Sequence, residues 1–159
     1  MGSQSDLPAM MPAATVLEEL QIPFEIRVLS AHRTPDLTFA YAHEAAGRGL
    51  AVIIAGAGAS AALPGVLAAK TWLPIIGVPL NATALNGIDA LLAIAQMPGG
   101  VPVATVAIGQ AGAKNAGLLA ARILAVGNAE VRKTLTHWIG QQTAKTASVQ
   151  IDLSSANSL

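Results

Sequence analysis

The sequence predicts an α/β protein built on a parallel β-sheet with helices on both faces. Apolar runs of strand length alternate with longer stretches of helical character along the chain. Two of these runs, AVIIAG and PIIGVP, are apolar throughout, which is typical of strands that are covered on both faces. Loops rich in glycine, serine and alanine follow the runs. Repeated strand, loop and helix units of this kind connect parallel strands through crossovers.

The first predicted strand is PFEIRVL at residues 23–29, where apolar and polar residues alternate. The next element is a helix with Thr34 as N-cap, Pro35 at its first position and Gly49 after its end. The same criteria predict three more strands, at residues 51–56, 74–79 and 102–108, and four more helices, at residues 61–70, 88–96, 111–126 and 130–142. Trp138 is expected to dock the last helix. We expect one domain over residues 1–142 and a loose polar tail over residues 143–159.

Composition excludes several classes of function. The formal net charge is zero and aromatic residues make up 3% of the chain, so neither a nucleic-acid surface nor an anionic membrane surface is indicated. The absence of cysteine excludes disulfides and thiolate chemistry, and it agrees with a cytoplasmic protein. No secretory signal is expected at the start of the chain.

Charged residues make up 11% of the chain, against about 25% in an average soluble domain. The uncharged run at residues 50–69 has the length of a membrane span, but glycines and Pro64 interrupt it, which favours a buried strand, a loop and a packed helix. Because a monomer needs charged surface to stay soluble, helices this poor in charge predict a homo-oligomer with large interfaces.

In open parallel sheets, ligands bind at the carboxyl ends of the strands. This rule selects MGSQSD at the start of the chain, in which two hydroxyls and a carboxylate precede a helix. Ser3, Ser5 and Asp6 are all favoured N-cap types, so capping alone accounts for them. The alternative is a phosphate site at a helix N-terminus, with Asp6 holding ribose hydroxyls.

The SAHR motif directly follows the strand predicted at residues 23–29. Arg33 is suited to bidentate phosphate binding, and histidine, the residue type at position 32, is well suited to proton transfer, so an anion clamp and a proton carrier stand side by side next to Ser30. The alternative is that His32 is only hydrogen-bonded and Arg33 makes a surface ion pair.

The loop AGAGASAALPG lacks the glycine spacing of a dinucleotide site, so a nicotinamide enzyme is not indicated. His43 and His137 fall in predicted helices without metal-ligand spacing, and both are interpreted as surface or packing residues. Four isolated polar residues either stabilise the end of a helix or line the site: Lys70, Asp89, Lys114 and Asn115.

Six motifs together resemble the class I N5-carboxyaminoimidazole ribonucleotide mutases, the catalytic subunit of bacterial-type phosphoribosylaminoimidazole carboxylase in purine synthesis. They occur in the order and spacing of that family, and extend to about Trp138: MGSQSD, SAHRTPD, VIIAGAGASAALPGVLAAKT, PIIGVPL, LNGIDALLAIAQMPGGVPVATVAIG and AGAKNAGLLAARILA. The resemblance implies a flavodoxin-like three-layer α/β/α fold and a cytoplasmic homo-octamer whose sites involve neighbouring subunits. It also implies a reaction without metal or organic cofactor, in which CO2 leaves N5 of the ribonucleotide and is recaptured at C4.

The resemblance also implies a role for each motif. Ser3, Asp6 and Arg33, with Ser5 and Ser30 beside them, hold the ribose phosphate end, and His32 is the general acid and base. The glycine loop lines the base and the CO2, through Ala57, Gly58, Ala59 and, beyond Ser60, Leu63. The substrate is a small ribonucleotide, and functional coupling to the ATP-dependent synthetase that makes it is expected.

Two departures from the family pattern bear on function. Ala62 stands where the family has a histidine, and the family has a β-strand before MGSQSD, so the first strand of the sheet is expected to be missing or truncated. Both favour an alternative, a catalytically impaired relative that binds ribonucleotide or is structural. A CO2-dependent carboxylase acting on the unmodified ribonucleotide is a further alternative.

Overall fold

The computed structural model describes residues 1–149 of the chain. A 3-10 turn at Gln4–Asp6 leads into six α-helices and three β-strands within this range. In chain order they are α1 (Leu7–Glu19), α2 (Pro35–Ala45), β1 (Ile53–Gly58), α3 (Leu63–Ala68), β2 (Ile75–Leu80), α4 (Ile88–Ala95), β3 (Ala104–Thr105), α5 (Gly109–Gly127) and α6 (Ala129–Ala147).

The three strands form one parallel sheet in the order β1-β2-β3. Side chains alternate across β2: Ile76 and Val78 pack against α1 and α5, whereas Ile75 packs with residues of α2, α3 and α4 on the opposite face. The fold is therefore a flavodoxin-like three-layer α/β/α arrangement, as the resemblance implied. Because the strands are parallel, their carboxyl ends lie at one edge of the sheet, which is called the carboxyl edge.

Residues 23–29 do not form the strand that their alternating pattern predicts. Within the described residues, their only backbone hydrogen bonds to the rest of the protein are made with Met1: its amino group donates to the Arg27 carbonyl (3.0 Å), and the Leu29 amide donates to the Met1 carbonyl (2.8 Å). No strand within the described part of the chain pairs with them, so the segment is not part of the sheet, and Ile26 and Val28 are 46% and 52% exposed. The prediction of a strand here was wrong because a strand requires a paired neighbour.

Two other boundaries differ from prediction. The strand expected over residues 102–108 is reduced to Ala104–Thr105, which pairs only with Ile76 and Gly77 of β2. Helix α6 continues to Ala147, so the tail predicted from residue 143 does not begin there, and residues 150–159 lie outside the described part of the chain. Trp138 docks α6 as expected, since its indole N–H donates to the Glu19 carboxylate (2.8 Å).

The uncharged run at residues 50–69 forms β1, a loop and the short helix α3, as predicted. In the part of the chain that is described, none of the helices combines the length and the apolar character that a membrane crossing requires. Several alanines of α5 are buried in the core of the isolated chain: Ala113, Ala116 and Ala120. Gly117 of the same helix lies against the Ala13 backbone of α1. A side chain at Gly117 would begin 2.9 Å from the Ala13 carbonyl oxygen, so the two helices pack at very short range.

Candidate active site

The first loop of the candidate site, residues 2–6, folds as a capping box. The Ser3 amide donates to the Asp6 carboxylate (2.9 Å), and the Ser3 hydroxyl oxygen accepts from the Ser5 amide (3.3 Å) and the Ser5 hydroxyl (2.9 Å). Ser3 and Asp6 thus cap the turn that precedes α1, as the simpler interpretation predicted, whereas Ser5 lies within the turn and donates to Ser3. Capping uses one carboxylate oxygen of Asp6 in these contacts, and the side chain is only half-buried, so it is still accessible to a ligand.

The second loop, residues 30–33, is held by Thr34, the N-cap of α2. Its hydroxyl accepts from the Ser30 amide (2.9 Å) and donates to the Ser30 carbonyl (3.2 Å) instead of capping the helix amides. The Ser30 hydroxyl then accepts from the Arg33 amide (3.2 Å) and from Arg33 Nε (3.3 Å). These bonds fix the direction in which the guanidinium leaves the loop.

Arg33 joins the two loops. Its Nη2 donates to the Gly2 carbonyl at 2.6 Å, a contact across 31 residues of sequence. This contact and the bond from Nε to Ser30 use two of the five guanidinium N–H groups, so the remaining donors are available to an anion. The structure therefore brings Ser3, Asp6, Ser30 and Arg33 together at one edge.

His32 lies next to Arg33 with an exposed side chain. Among the described residues its ring makes no hydrogen bond that would fix a tautomer or hold it away from a ligand. Its neighbour Ala31 is partly buried and packs against the apolar cluster that contains Ala57 and Ala61. The loop that presents His32 is therefore packed on one side against this apolar cluster.

The glycine loop follows β1 and contains strained backbone. Ala59 and Ala61 have positive φ values of 54° and 43°, a left-handed conformation that alanine rarely adopts. Only glycine fits at position 58, since a Cβ there would lie 2.5 Å from the Ala82 methyl group. Strain of this kind persists where the surrounding structure imposes it, which happens often at ligand sites.

The remaining residues of this loop differ in exposure. Ala57 is buried, Ala59 and Ser60 are exposed, and the side chain of Leu63 is 4% exposed within the core. Leu63 thus faces the apolar interior, and its side chain does not reach the edge. Ala62 is half-buried immediately before α3 and gives that helix no side-chain cap.

A fourth loop at this edge was largely missed by sequence reasoning. It follows β2, and in it the Thr83 hydroxyl donates to Asp89 at 2.7 Å, while the other oxygen of this carboxylate is buried without a partner among the described residues. Asn86 and Gly87 both have positive φ values, 53° and 85°. The Asn-Gly dipeptide was the signal that could have identified this turn.

The isolated lysines have structural contacts. Lys70 lies 4.6 Å from the centre of the Phe39 ring, and Lys114 lies 5.7 Å from the centre of the Trp138 ring. Over residues 1–149, no three side chains of the types His, Cys, Asp and Glu come together in a way that could hold a metal ion. The candidate site is therefore built from hydroxyls, one carboxylate, one imidazole, one guanidinium and backbone amides.

The layered parallel sheet and the four loops at its carboxyl edge define a flavodoxin-like α/β protein whose candidate site lies where such folds bind their ligands. The family model for AIR carboxylase matches residues 1–145, and the chain belongs to this family. A relative from Pseudomonas aeruginosa, named N5-carboxyaminoimidazole ribonucleotide mutase, is 56% identical over 143 residues, which cover 90% of this chain and 88% of the relative.

Two further matches agree with this assignment. The Bacillus subtilis protein of the same name is 59% identical over 135 residues, covering 85% of this chain and 83% of the relative. The crystal structure of Treponema denticola PurE superposes with a TM-score of 0.82 at 27% identity, covering 100% of this chain and 96% of that one.

Proposed function

We propose that this protein moves a carboxylate from N5 of N5-carboxyaminoimidazole ribonucleotide to C4 of the same molecule, with His32 as the general acid and base. The overall activity follows from the family: relatives that are 52% to 61% identical over most of the chain are named as this mutase. The chain is thus an isomerase of purine biosynthesis. The roles of individual residues are supported by the geometry of the site.

The phosphate of the substrate is assigned to the cleft between the first two loops. The observation that supports this most directly is the hydrogen bond from Arg33 to the Gly2 carbonyl, because it places the guanidinium beside the turn capped by Ser3 and Asp6. Arg33 then offers charge-assisted hydrogen bonds to phosphate oxygens, together with the hydroxyls of Ser5 and Ser30. The second oxygen of the Asp6 carboxylate accepts from ribose hydroxyls.

His32 is assigned to proton transfer because it is next to the phosphate anchor and because no group within residues 1–149 makes a hydrogen bond to its ring. Loss of the N5 carboxylate as CO2 leaves the nitrogen electron pair to be protonated. Attack of C4 on the CO2 forms the new carbon–carbon bond, and the C4 proton then has to leave. One histidine can give the first proton and accept the second, so the reaction is balanced in protons.

The glycine loop is assigned to the base and CO2 end. Between Ala57 and Ser60 it carries no charge and has small side chains, so its backbone can approach a planar ring and a small neutral molecule closely. Holding CO2 beside its acceptor would supply the entropic advantage of an intramolecular reaction. Ala62 cannot donate a hydrogen bond to the carboxylate, and we expect a lower rate than a histidine there would give.

We assign a homo-oligomeric assembly, and the family resemblance implies an octamer. Large apolar side chains support this assignment, since they are more than half exposed in the isolated chain: Leu37, Trp72, Leu85, Ile88, Leu92 and Val126. A cytoplasmic location and functional coupling to the synthetase that carboxylates N5 complete the proposal.

The decisive experiment follows the interconversion of N5-carboxyaminoimidazole ribonucleotide and its C4 isomer by the purified chain, without ATP or added metal. Turnover that is independent of added bicarbonate supports the mutase. Turnover only with the unmodified ribonucleotide and bicarbonate would show a carboxylase instead. Binding without turnover would show an impaired relative, and Ala62→His would then be tested for recovery of activity.

A further inference from the structure

The loop at residues 81–87 connects β2 to α4, and Thr83 holds it together. The Thr83 hydroxyl accepts from the Leu85 amide (3.1 Å) and donates to the Asp89 carboxylate (2.7 Å). The Thr83 carbonyl accepts from the Asn86 amide (3.1 Å). The bond to Asp89 therefore ties Thr83 to α4, whereas the other two bonds lie within the loop.

Helix α4 is a firm support for this bond. Ala90, the residue after Asp89, is fully buried, and so is Ile94 one turn further on. A Cβ at Gly77 of β2 would overlap the Ile94 side chain, so the helix packs on the sheet at contact range. A short hydrogen bond to a carboxylate in a partly buried position is also stronger than one between neutral groups.

The loop at residues 81–87 touches the glycine loop through Ala82. The Ala82 methyl group lies against Gly58 so closely that a Cβ on Gly58 would be 2.5 Å from it. Gly58 also begins the turn of the glycine loop, since its carbonyl accepts from the Ala61 amide (3.0 Å). Because Thr83 is the chain neighbour of Ala82, a shift of Thr83 would reach this turn through a single contact.

The turn that follows Gly58 needs support from its surroundings. Ala59 and Ala61 have positive φ values, which cost alanine free energy and persist only where neighbouring structure imposes them. The proposed reaction also needs this turn to stay in place. CO2 is free between its loss from N5 and its attack by C4, and escape of CO2 would leave the unmodified ribonucleotide. Since CO2 carries no charge, close walls have to retain it.

We propose that Asp89 is a positioning residue for the CO2 end of the site and acts through Thr83. The bond between them keeps Ala82 against Gly58, and the glycine loop then stays closed while CO2 is free. This inference rests on the proposed function, and it gives neither side chain a contact with the ribonucleotide. The simpler alternative is that Asp89 only stabilises α4, as an acidic residue in its first turn.

The test measures how often CO2 is recaptured. The purified chain converts N5-carboxyaminoimidazole ribonucleotide, and the C4 product and the unmodified ribonucleotide are both quantified at early times, after subtraction of the loss without enzyme. We expect Thr83→Val, which removes the hydroxyl and keeps the shape, to release about threefold to tenfold more unmodified ribonucleotide per C4 product, with KM nearly unchanged. A loss of folded protein alone would lower enzymatic formation of both compounds together and leave this ratio unchanged.

Two further threonine variants locate the effect. Thr83→Ser keeps the hydroxyl and should retain the ratio of the unaltered chain. Thr71→Val is the matched control, because the Thr71 hydroxyl accepts from the amide of Leu73 (3.3 Å) just as that of Thr83 accepts from Leu85. Thr71 lies before β2, at the opposite end of the strand from Thr83, and its substitution should leave the ratio unchanged.

A double variant tests whether Asp89 acts through Thr83. Asp89→Ala should raise the ratio about as much as Thr83→Val does. The two substitutions together should have no more effect than either alone, because both remove the same bond.

A second measurement does not need turnover. Amide exchange in residues 57–61, measured by mass spectrometry, should be about threefold to tenfold faster in Thr83→Val than in the unaltered chain, because loss of the bond loosens the turn closed by the Ala61 amide. Thr71→Val should leave this exchange unchanged. The exchange therefore shows whether Thr83 holds the glycine loop, whatever reaction the site performs.

The outcomes separate this inference from the proposed function. No conversion by the unaltered chain would overturn the proposed function and the retention of CO2 with it, while unchanged exchange in Thr83→Val would overturn the positioning role by itself. Conversion with an unchanged ratio in Thr83→Val, or an equal change in Thr71→Val, would also overturn the inference alone. Additive effects of the two substitutions would show that Asp89 acts separately from Thr83, as the simpler alternative states.

Discussion

The two halves of the candidate site are built in opposite ways. At the phosphate end, residues 2–6 and 30–33 are polar and linked by a network of hydrogen bonds that includes Arg33 and Gly2. At the base end, the glycine loop after β1 has no charged residue, and two of its alanines are in the left-handed conformation. One half is fixed by bonds between side chains and backbone, and the other by tight packing of small residues.

This difference separates binding from chemistry. A phosphate needs directed donors, which the bonded loops hold ready before the ligand arrives. A neutral CO2 needs close walls and few competing polar groups, which an uncharged loop provides. His32 lies between Ala31, which packs against the apolar cluster that also contains Ala57 and Ala61, and Arg33, which bonds to the first loop.

The largest effect is expected for His32→Asn. Loss of the proton carrier should lower kcat by about 10²–10⁴-fold and leave ribonucleotide affinity nearly unchanged, because phosphate binding depends on the other residues. Steady-state kinetics and equilibrium binding of the ribonucleotide measure the two quantities. His137→Asn, on the exposed side of α6, is the matched control and should keep full activity. Activity near that of the unaltered chain in His32→Asn would refute the proton-transfer role.

Arg33→Ala should act mainly on affinity. The variant loses charge-assisted hydrogen bonds to the phosphate and also the link to Gly2, so we expect KM to rise by about 10–100-fold with a smaller change in kcat. Arg132→Ala removes another arginine that donates to a backbone carbonyl, that of Ala125 (3.0 Å), and controls for loss of such a contact. A kcat effect larger than the KM effect would place Arg33 in the chemical step and break the division.

Ala59→Gly should stabilise the fold by about 0.5–1 kcal/mol, because glycine adopts a positive φ without the steric cost that alanine has. The matched control is Ala40→Gly, at an exposed position inside α2, which should destabilise by about 1 kcal/mol. Urea unfolding gives both values. If Ala59→Gly is destabilising, the loop is not strained in solution. A gain in stability with a loss of kcat would show that the strain serves the site.

A further effect concerns Tyr41 of α2 and its contact with Glu25. Burial and a hydrogen bond to Glu25 raise the pKa of Tyr41 to about 12, and since Tyr41 is the only tyrosine of the chain, phenolate absorbance reports it directly. Unfolded tyrosine ionises near its ordinary value of 10, so stability should fall as the pH rises from there toward 12. Glu25→Gln should lower the pKa of Tyr41 but leave it above 10, because burial is the larger cause. A midpoint at 10 in the unaltered chain would show that Tyr41 is not buried.

Glu25 itself has the opposite dependence. A hydrogen bond from Arg48 lowers the pKa of this carboxyl below its ordinary value of 4.5. The contact therefore stabilises the fold at pH values above 4.5, and this contribution is lost as the pH falls through the lowered pKa. The pair is solvent-accessible, so the difference between the unaltered chain and Glu25→Gln should be small and should shrink in salt.

The layer order and most elements could be predicted because apolar runs and caps are local signals. PIIGVP became β2, buried along its whole length, and Pro35 began α2 as expected. Residues 23–29 show where local signals stop, since an alternating pattern records which side chains face the core and not whether a partner strand exists. The tail boundary failed for a related reason: polar residues 143–147 continue a helix that docks through the bond from Trp138 to Glu19, a contact across 119 residues of sequence.

At the site, residue types could be read from the motifs, but their contacts could not. MGSQSD and SAHR were each open to two interpretations. The contact of Arg33 with Gly2 joins them across 31 residues, which no pattern within either motif indicates. The strain at Ala59 and Ala61 was also hidden, because alanine gives no sequence signal of a positive φ.

The same contact bears on the order of events during folding. The glycine loop is closed locally, directly after β1, whereas the phosphate end exists only after the chain has closed a loop that contains all of α1 and residues 23–29. Contacts this distant in sequence form late, since the closure entropy is lost before the contact is gained. In a refolding experiment, affinity for a phosphate ligand should therefore return after the circular dichroism of the helices has returned. The rate at which ligand binding recovers would then measure how fast the contact between Arg33 and Gly2 forms.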